Sequence, residues 1–208
     1  MVLGALVAAL SVVASTGPAP ASAATPTRKP AIATAPFTEP TDVALADTPS
    51  PWPLPADATP YIKAAGLTVL GEEQLEVHYH AHLDVVDAGQ KVTVPAGVGF
   101  VVKNGRATGI TVLHTHDTSG VIHIESAKDV PYTLGQFFTE WGVALNADQV
   151  GGLHADADHV VQTYVNGRRF DGDPGTIRLR RHLEIALWYG PTGEKPVVPK
   201  SYRFPAGL

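Results

Sequence analysis

The chain contains no cysteine, which excludes disulfides, thiolate-bound zinc, blue-copper centres and iron–sulfur clusters. Any metal it binds must be held by nitrogen and oxygen donors. Charge of one sign is also scarce: 15 Lys and Arg stand against 20 Asp and Glu in 208 residues, a formal net charge of −5. With no basic stripe interleaved with aromatics, neither nucleic acid nor an anionic membrane surface is an expected partner. The apolar run Val2 to Val13 is too short to span a bilayer. Together with Ala21-Ser22-Ala23, which fits a small-x-small cleavage pattern, it reads as a secretory signal over residues 1–23. No Lys or Arg precedes the run, so either the start is truncated or misassigned or the signal is unusual; a non-cleaved anchor is the rival reading. The expected location is secreted or cell-surface in a bacterium, with no membrane span in the mature chain.

Proline and glycine are unevenly shared. Of 18 prolines, 11 lie between Pro18 and Pro60, whereas 18 of the 20 glycines come later. Prolines at that density remove ladder donors and break helices, so residues 24–60 read as a disordered Pro/Ala/Thr-rich linker. Residues 61–208 are then a single domain, long enough to bury a core of its own.

Within that domain, Leu75 to Val86 alternates. Leu75, Val77, Tyr79, Ala81, Leu83 and Val85 form an apolar face, while Glu76, His78, His80, His82 and Asp84 form a polar one, the period of a half-buried strand. Gln90 to Pro95 is its expected hairpin partner, and Gly97 to Gly109 reads as loop with a turn at Asn104-Gly105. Ile110 to His116 and Val121 to Ser126 form a second hairpin about Asp117 to Gly120. Thr133 to Trp141 is the one good helix. Leu134, Phe137, Phe138 and Trp141 share a face, Thr133 and Gln136 make a capping box, and Gly142 supplies the stop. Asn146 to Asp158 reads as polar loop. Val160 to Val165 turns through Asn166-Gly167 into Arg168 to Phe170, and His182 to Tyr189 is a closing, central strand.

These elements predict an α+β domain: a mostly antiparallel or mixed sheet with one packed helix. In its closing part, Val165-Asn166-Gly167 and the last apolar strand, the chain resembles β-grasp domains. It ends in Pro205-Ala206-Gly207-Leu208, without the terminal Gly-Gly of sulfur carriers of that class, so their activity is not implied. A small cupin-like β-barrel is the alternative fold. Gly89, Pro95, Gly97 and Asn104 fit the spacing of the second cupin motif, but Phe100 stands where its histidine belongs.

Six of the nine histidines fall in two clusters: His78, His80 and His82, then His114, His116 and His123. Imidazole is the commonest protein metal ligand. With a four-residue loop at Asp117 to Gly120, His114 lies opposite His123, and Val112 opposite Glu125. Cβ atoms opposed in this way are about 5 Å apart, so His114, His116 and His123 converge with Glu125 on one side of the hairpin. The first cluster runs about 13 Å along its strand and can donate only a pair, expected to be His80 and His82. Both clusters serve one site if their strands are neighbours. The rival reading is that these histidines are ordinary polar residues on a solvated sheet face. His154, Asp156, Asp158 and His159 are assigned to a solvated loop, the arginines between Arg168 and Arg181 to a solvated strand edge, and Asp117, Thr118 and Ser119 to turn chemistry.

The segments Val77 to Val85, Leu113 to Ser126 and Tyr132 to Gly142 resemble uncharacterised exported bacterial proteins with His-rich hairpins. The leading expectation is an exported protein binding a divalent metal, Zn or Cu foremost with Fe and Ni open, through His80, His82, His114, His116, His123 and Glu125. A metal-dependent enzyme is the second expectation, either a Zn hydrolase or lyase or a non-haem Fe oxygenase. Its ligand logic resembles that of carbonic anhydrases, a His-x-His pair plus a third His on an adjacent strand, with an open position for water. A non-catalytic surface-interaction module is the third.

Overall fold

Val77–Asp87 is the strand (β1) against which the rest of the domain is assembled. In the computed structural model, which describes Met1, Val2 and residues 31–208, residues 32–208 form one compact unit. The expected signal segment falls almost wholly outside the described residues. The final strand, Leu183–Pro191 (β12), lies parallel to β1, with His82 opposite Glu184 and Leu83 opposite Ile185. Along its other edge β1 pairs antiparallel with two strands in turn. Val121–Ser126 (β6) takes the first half, His78 opposite Glu125 and His80 opposite His123, and Gln90–Val92 (β2) takes the end. Outside β12 come His159–Val165 (β10) and Arg168–Phe170 (β11), joined at Asn166-Gly167, where both residues have positive φ. Leu113–His114 (β5) pairs with β6 at the opposite edge, His114 facing His123 as the loop length predicts. The main sheet is therefore mixed, in the order β11-β10-β12-β1-β6-β5 with β2 added on β1.

One face of this sheet is the core. Tyr79, Ala81, Leu83 and Val85 of β1, Ile122 and Ile124 of β6, and Ile185 and Leu187 of β12 are buried with Phe137, Phe138 and Trp141 of the helix Leu134–Trp141 (α2). Each buried Val, Leu, Ile and Phe among them contributes about 1.5–3 kcal/mol by leaving water, and truncating Leu83 to Ala would cost about 2–5 kcal/mol. The helix begins at the predicted capping box: Thr133 Oγ1 accepts from Gln136 N–H (3.3 Å), and Gln136 Oε1 accepts from Thr133 N–H (3.1 Å). It ends at Gly142, whose φ of 78° is left-handed. The domain is α+β, with a second short helix, Thr59–Ala64 (α1), leading in.

Four expectations are corrected. The supposed half-buried β1 is buried on both faces from Tyr79 to Val85, because its polar side is covered too. Tyr202 of the C-terminal tail stacks on His82 with ring centroids 3.7 Å apart, and Phe100 stands edge-on to His114 and His116. Second, the expected loop at Gly97 to Gly109 holds a hairpin, Phe100–Lys103 (β3) and Arg106–Ile110 (β4), about the Asn104-Gly105 turn. Third, the polar stretch after Asn146 contains a small meander, Leu145–Asn146 (β7), Gln149–Val150 (β8) and Leu153–His154 (β9).

The fourth concerns the linker, which is no linker over its described part. Ala46 accepts a bridge to Val143, and Gly152 N–H donates to Thr48 O at 2.8 Å. Trp52 is 2% exposed, edge-on to Trp141, whose indole N–H donates to Trp52 O at 3.3 Å. Prolines kept this segment out of the sheet, but the large apolar Trp52 that it carries is worth burying even in an extended chain.

Candidate metal centre

The polar face owes its composition to three adjacent strands. β6 lies between β1 and β5, so His123 has His80 opposite on one side and His114 on the other, while Glu125 has His78 opposite. Alternation then points all of these side chains to the face away from α2. His80, His114, His123 and Glu125 are buried, whereas His78 and His116 are 37% and 43% exposed and form the mouth of the cluster.

Four donor atoms close a ring on the β1 side. His78 Nε2 lies 3.1 Å from His80 Nε2, and His80 Nε2 lies 3.2 Å from His123 Nδ1. Glu125 Oε1 completes it at 3.2 Å from both His123 Nδ1 and His78 Nε2. On the β5 side His114 Nε2 lies 3.2 Å from His116 Nε2 and 3.7 Å from Glu125 Oε2. Ligands on a tetrahedral ion with bonds of about 2.0–2.1 Å are about 3.3–3.4 Å apart, so the separations on each side are close to those of ligands that share an ion. Two sets of donor atoms lie mutually within 4.8 Å: His78, His80, His123 and Glu125, and His114, His116, His123 and Glu125. Several His, Glu and Asp groups are thus close enough to hold a metal ion.

Hydrogen bonding leaves two buried atoms of this cluster without a partner, His80 Nδ1 and Glu125 Oε2. His114 Nδ1 faces Thr111 O at 2.9 Å. A carbonyl only accepts, so the imidazole proton sits on Nδ1 and Nε2 carries a lone pair. That lone pair faces Glu125 Oε2, a buried oxygen with no hydrogen-bond partner. Burial holds His80 and His114 down to a pKa of about 4 and His123 to about 3, each depressed further by the neighbouring imidazoles. The three are therefore neutral at physiological pH, with lone pairs free for a cation. Burial, with Glu73 nearby, pushes the Glu125 carboxyl up. Thr111 itself is fixed from below. Its hydroxyl donates to Leu113 O (2.5 Å) and lies 2.7 Å from Glu140 Oε2 of α2, whose fully buried carboxyl is held far above its ordinary pKa.

Of the predicted ligands, the structure brings His80, His114, His116, His123 and Glu125 together and leaves His82 apart. His82 Nε2 donates to Ser119 O at 3.0 Å, and Nδ1 lies 2.9 Å from Glu184 Oε2 on β12. Asp84 completes a third close group with His82 and Glu184, but it is already paired with Lys91 Nζ at 2.7 Å. Both ring nitrogens of His82 are thus occupied by acceptors. The β1 pair at the cluster is His78 and His80, because Glu125 and His123 of β6 face those two positions, whereas His82 has Val121 on that side. Sequence reasoning missed Glu73, whose Oε1 is 3.5 Å from His116 Nε2. It lies in the approach to β1 and bears no pattern. Glu184 was missed too, although a lone charge inside the apolar run Leu183 to Tyr189 was the available sign. Asp117 accepts from Ser119 N–H at 2.8 Å, the turn role assigned to it. His154 and His159 pair with Asp47 and Asp156 and join no three-ligand group among the described residues.

Comparison with known proteins gives no further guide to the site: no protein-family model, curated protein or solved structure matches the chain.

Proposed function

We propose that this is an exported protein that binds a divalent cation of the Zn or Cu type on the buried histidine face of its sheet. The observation that carries the reading is the convergence of donor atoms from three adjacent strands, with His78, His80, His123 and Glu125 in one set and His114, His116, His123 and Glu125 in the other, each set mutually within 4.8 Å. Within the cluster His80 Nδ1 and Glu125 Oε2 are buried without a hydrogen-bond partner, an arrangement that a bound cation would offset. Five imidazoles and one carboxylate favour borderline metals over Mg²⁺ or Ca²⁺, which want oxygen. Export is supported by the N-terminal apolar run with Ala21-Ser22-Ala23, and no helix of the described residues is long and apolar enough to cross a membrane. We further assign the domain a β-grasp-like architecture, on the parallel pairing of its first and last main strands beside a single packed helix.

A calorimetric titration of the purified chain with Zn²⁺ and Cu²⁺ tests the metal reading. Saturable binding is expected in the wild type and its loss in the His114→Ala, His116→Ala, His123→Ala variant. Equal heats from both proteins would overturn it.

A further inference from the structure

We propose that the cluster is a two-ion centre: Glu125 bridges one divalent cation held by His78 and His80 and a second held by His114 and His116, with His123 in reach of both. This inference rests on the metal-binding reading and adds to it a stoichiometry and a bridge.

A single ion cannot use all six side chains. Opposite ligands on an octahedral ion with bonds of about 2.1 Å are about 4.2 Å apart, and no ligand pair on one ion can be farther apart than that. The donors here divide into two sets, each with its atoms within 4.8 Å of one another, and only His123 and Glu125 belong to both. The His78–His80 pair and the His114–His116 pair therefore belong to different coordination spheres.

Glu125 serves the two sets with different oxygens. Oε1 lies 3.2 Å from His78 Nε2 and 3.2 Å from His123 Nδ1, while Oε2 lies 3.7 Å from His114 Nε2. A carboxylate chelating one ion would turn both oxygens to the same donors. Topology explains why these two residues are shared. β6 is the middle strand of β1-β6-β5, so its side chains have a histidine-bearing strand on each flank. Each flanking strand then supplies a His-x-His pair, His78 with His80 and His114 with His116.

The charge balance also accommodates a second cation. Beyond Glu125, Glu73 lies 3.5 Å from His116 Nε2 at the rim. Two ions sharing a carboxylate stand about 3.5–4 Å apart in other two-metal sites, a span that one carboxylate can bridge.

The full chain, dialysed against Zn²⁺ and then against metal-free buffer, should retain two ions per chain by elemental analysis. His78→Ala with His80→Ala should retain one, and so should His114→Ala with His116→Ala. Loaded with Cu²⁺ instead, the wild type should show the half-field electron paramagnetic resonance transition of a coupled pair at two equivalents. Glu125→Gln, which keeps the side chain's volume, should abolish that transition. Saturation of the wild type at one ion, or two Cu²⁺ ions without magnetic coupling, would overturn the bridge and leave the metal reading standing. Retention of no ion would overturn both. The wild-type measurements depend on no variant folding.

Discussion

His80 and His82 are two residues apart on one face of one strand, both almost fully buried, and their chemical situations are opposite. His82 has an acceptor for each ring nitrogen, Ser119 O and Glu184 Oε2, and an aromatic lid in Tyr202. His80 has no partner for Nδ1, and its Nε2 faces two other imidazoles. The first is a completed hydrogen-bonding unit that ties β1 to β12 and to the turn before β6. The second is a donor among donors. Burial therefore does not tell a structural histidine from a candidate ligand; what each nitrogen faces does.

The largest effect that separates the two regions is on stability. His82→Ala leaves Glu184 buried without its partner and should cost about 3–5 kcal/mol in urea denaturation, while zinc affinity changes by about twofold at most. A much smaller loss, or a loss of zinc binding, would break the contrast. On the other side, Glu125→Ala should weaken zinc binding on the order of a hundredfold, one ligand's share of a four-ligand site, as read by competition with a chromophoric chelator. Gly99→Ala should weaken it about tenfold through position alone. At Gly99, where φ is +80°, a Cβ would strike Leu113 O and come within 3.0 Å of His114 Cβ, displacing β5.

The smallest effect is on pH dependence in the metal-free protein. Unfolded imidazoles take protons near 6.5, but folded His80 and His114 take them only near 4 and His123 near 3. Between those values the unfolded chain binds more protons, so the contribution of these residues is full above about pH 6.5 and is lost as pH falls toward 4. The His114 ring proton shifts should accordingly stay flat from about pH 8 to 5 in a nuclear magnetic resonance titration. A midpoint near 6.5 would contradict the assignment. Glu140 has the opposite sign. Its raised pKa gives a contribution that is full below about 4.5 and is lost as pH rises through the folded value. Glu140→Gln should remove that alkaline decline from the stability profile.

Much of the hairpin geometry was legible because it is local. The loop length at Asp117 to Gly120 sets His114 opposite His123, alternation separates Tyr79, Ala81 and Leu83 from the histidines, and Thr133 with Gln136 marks the start of the helix. The choice between His78 and His82 was not legible, because it depends on which strands flank β1 and in what register, a matter of contacts 40 to 100 residues away. Nor was the packing of Trp52, where proline density argued for a linker and only the partner surface on Trp141 decides otherwise.

Anomalous diffraction from a zinc-loaded crystal tests the central claim most directly. The account predicts a peak about 2 Å from both His114 Nε2 and Glu125 Oε2. A peak confined to His82, Asp84 and Glu184, or no peak on this face of the sheet, would contradict it.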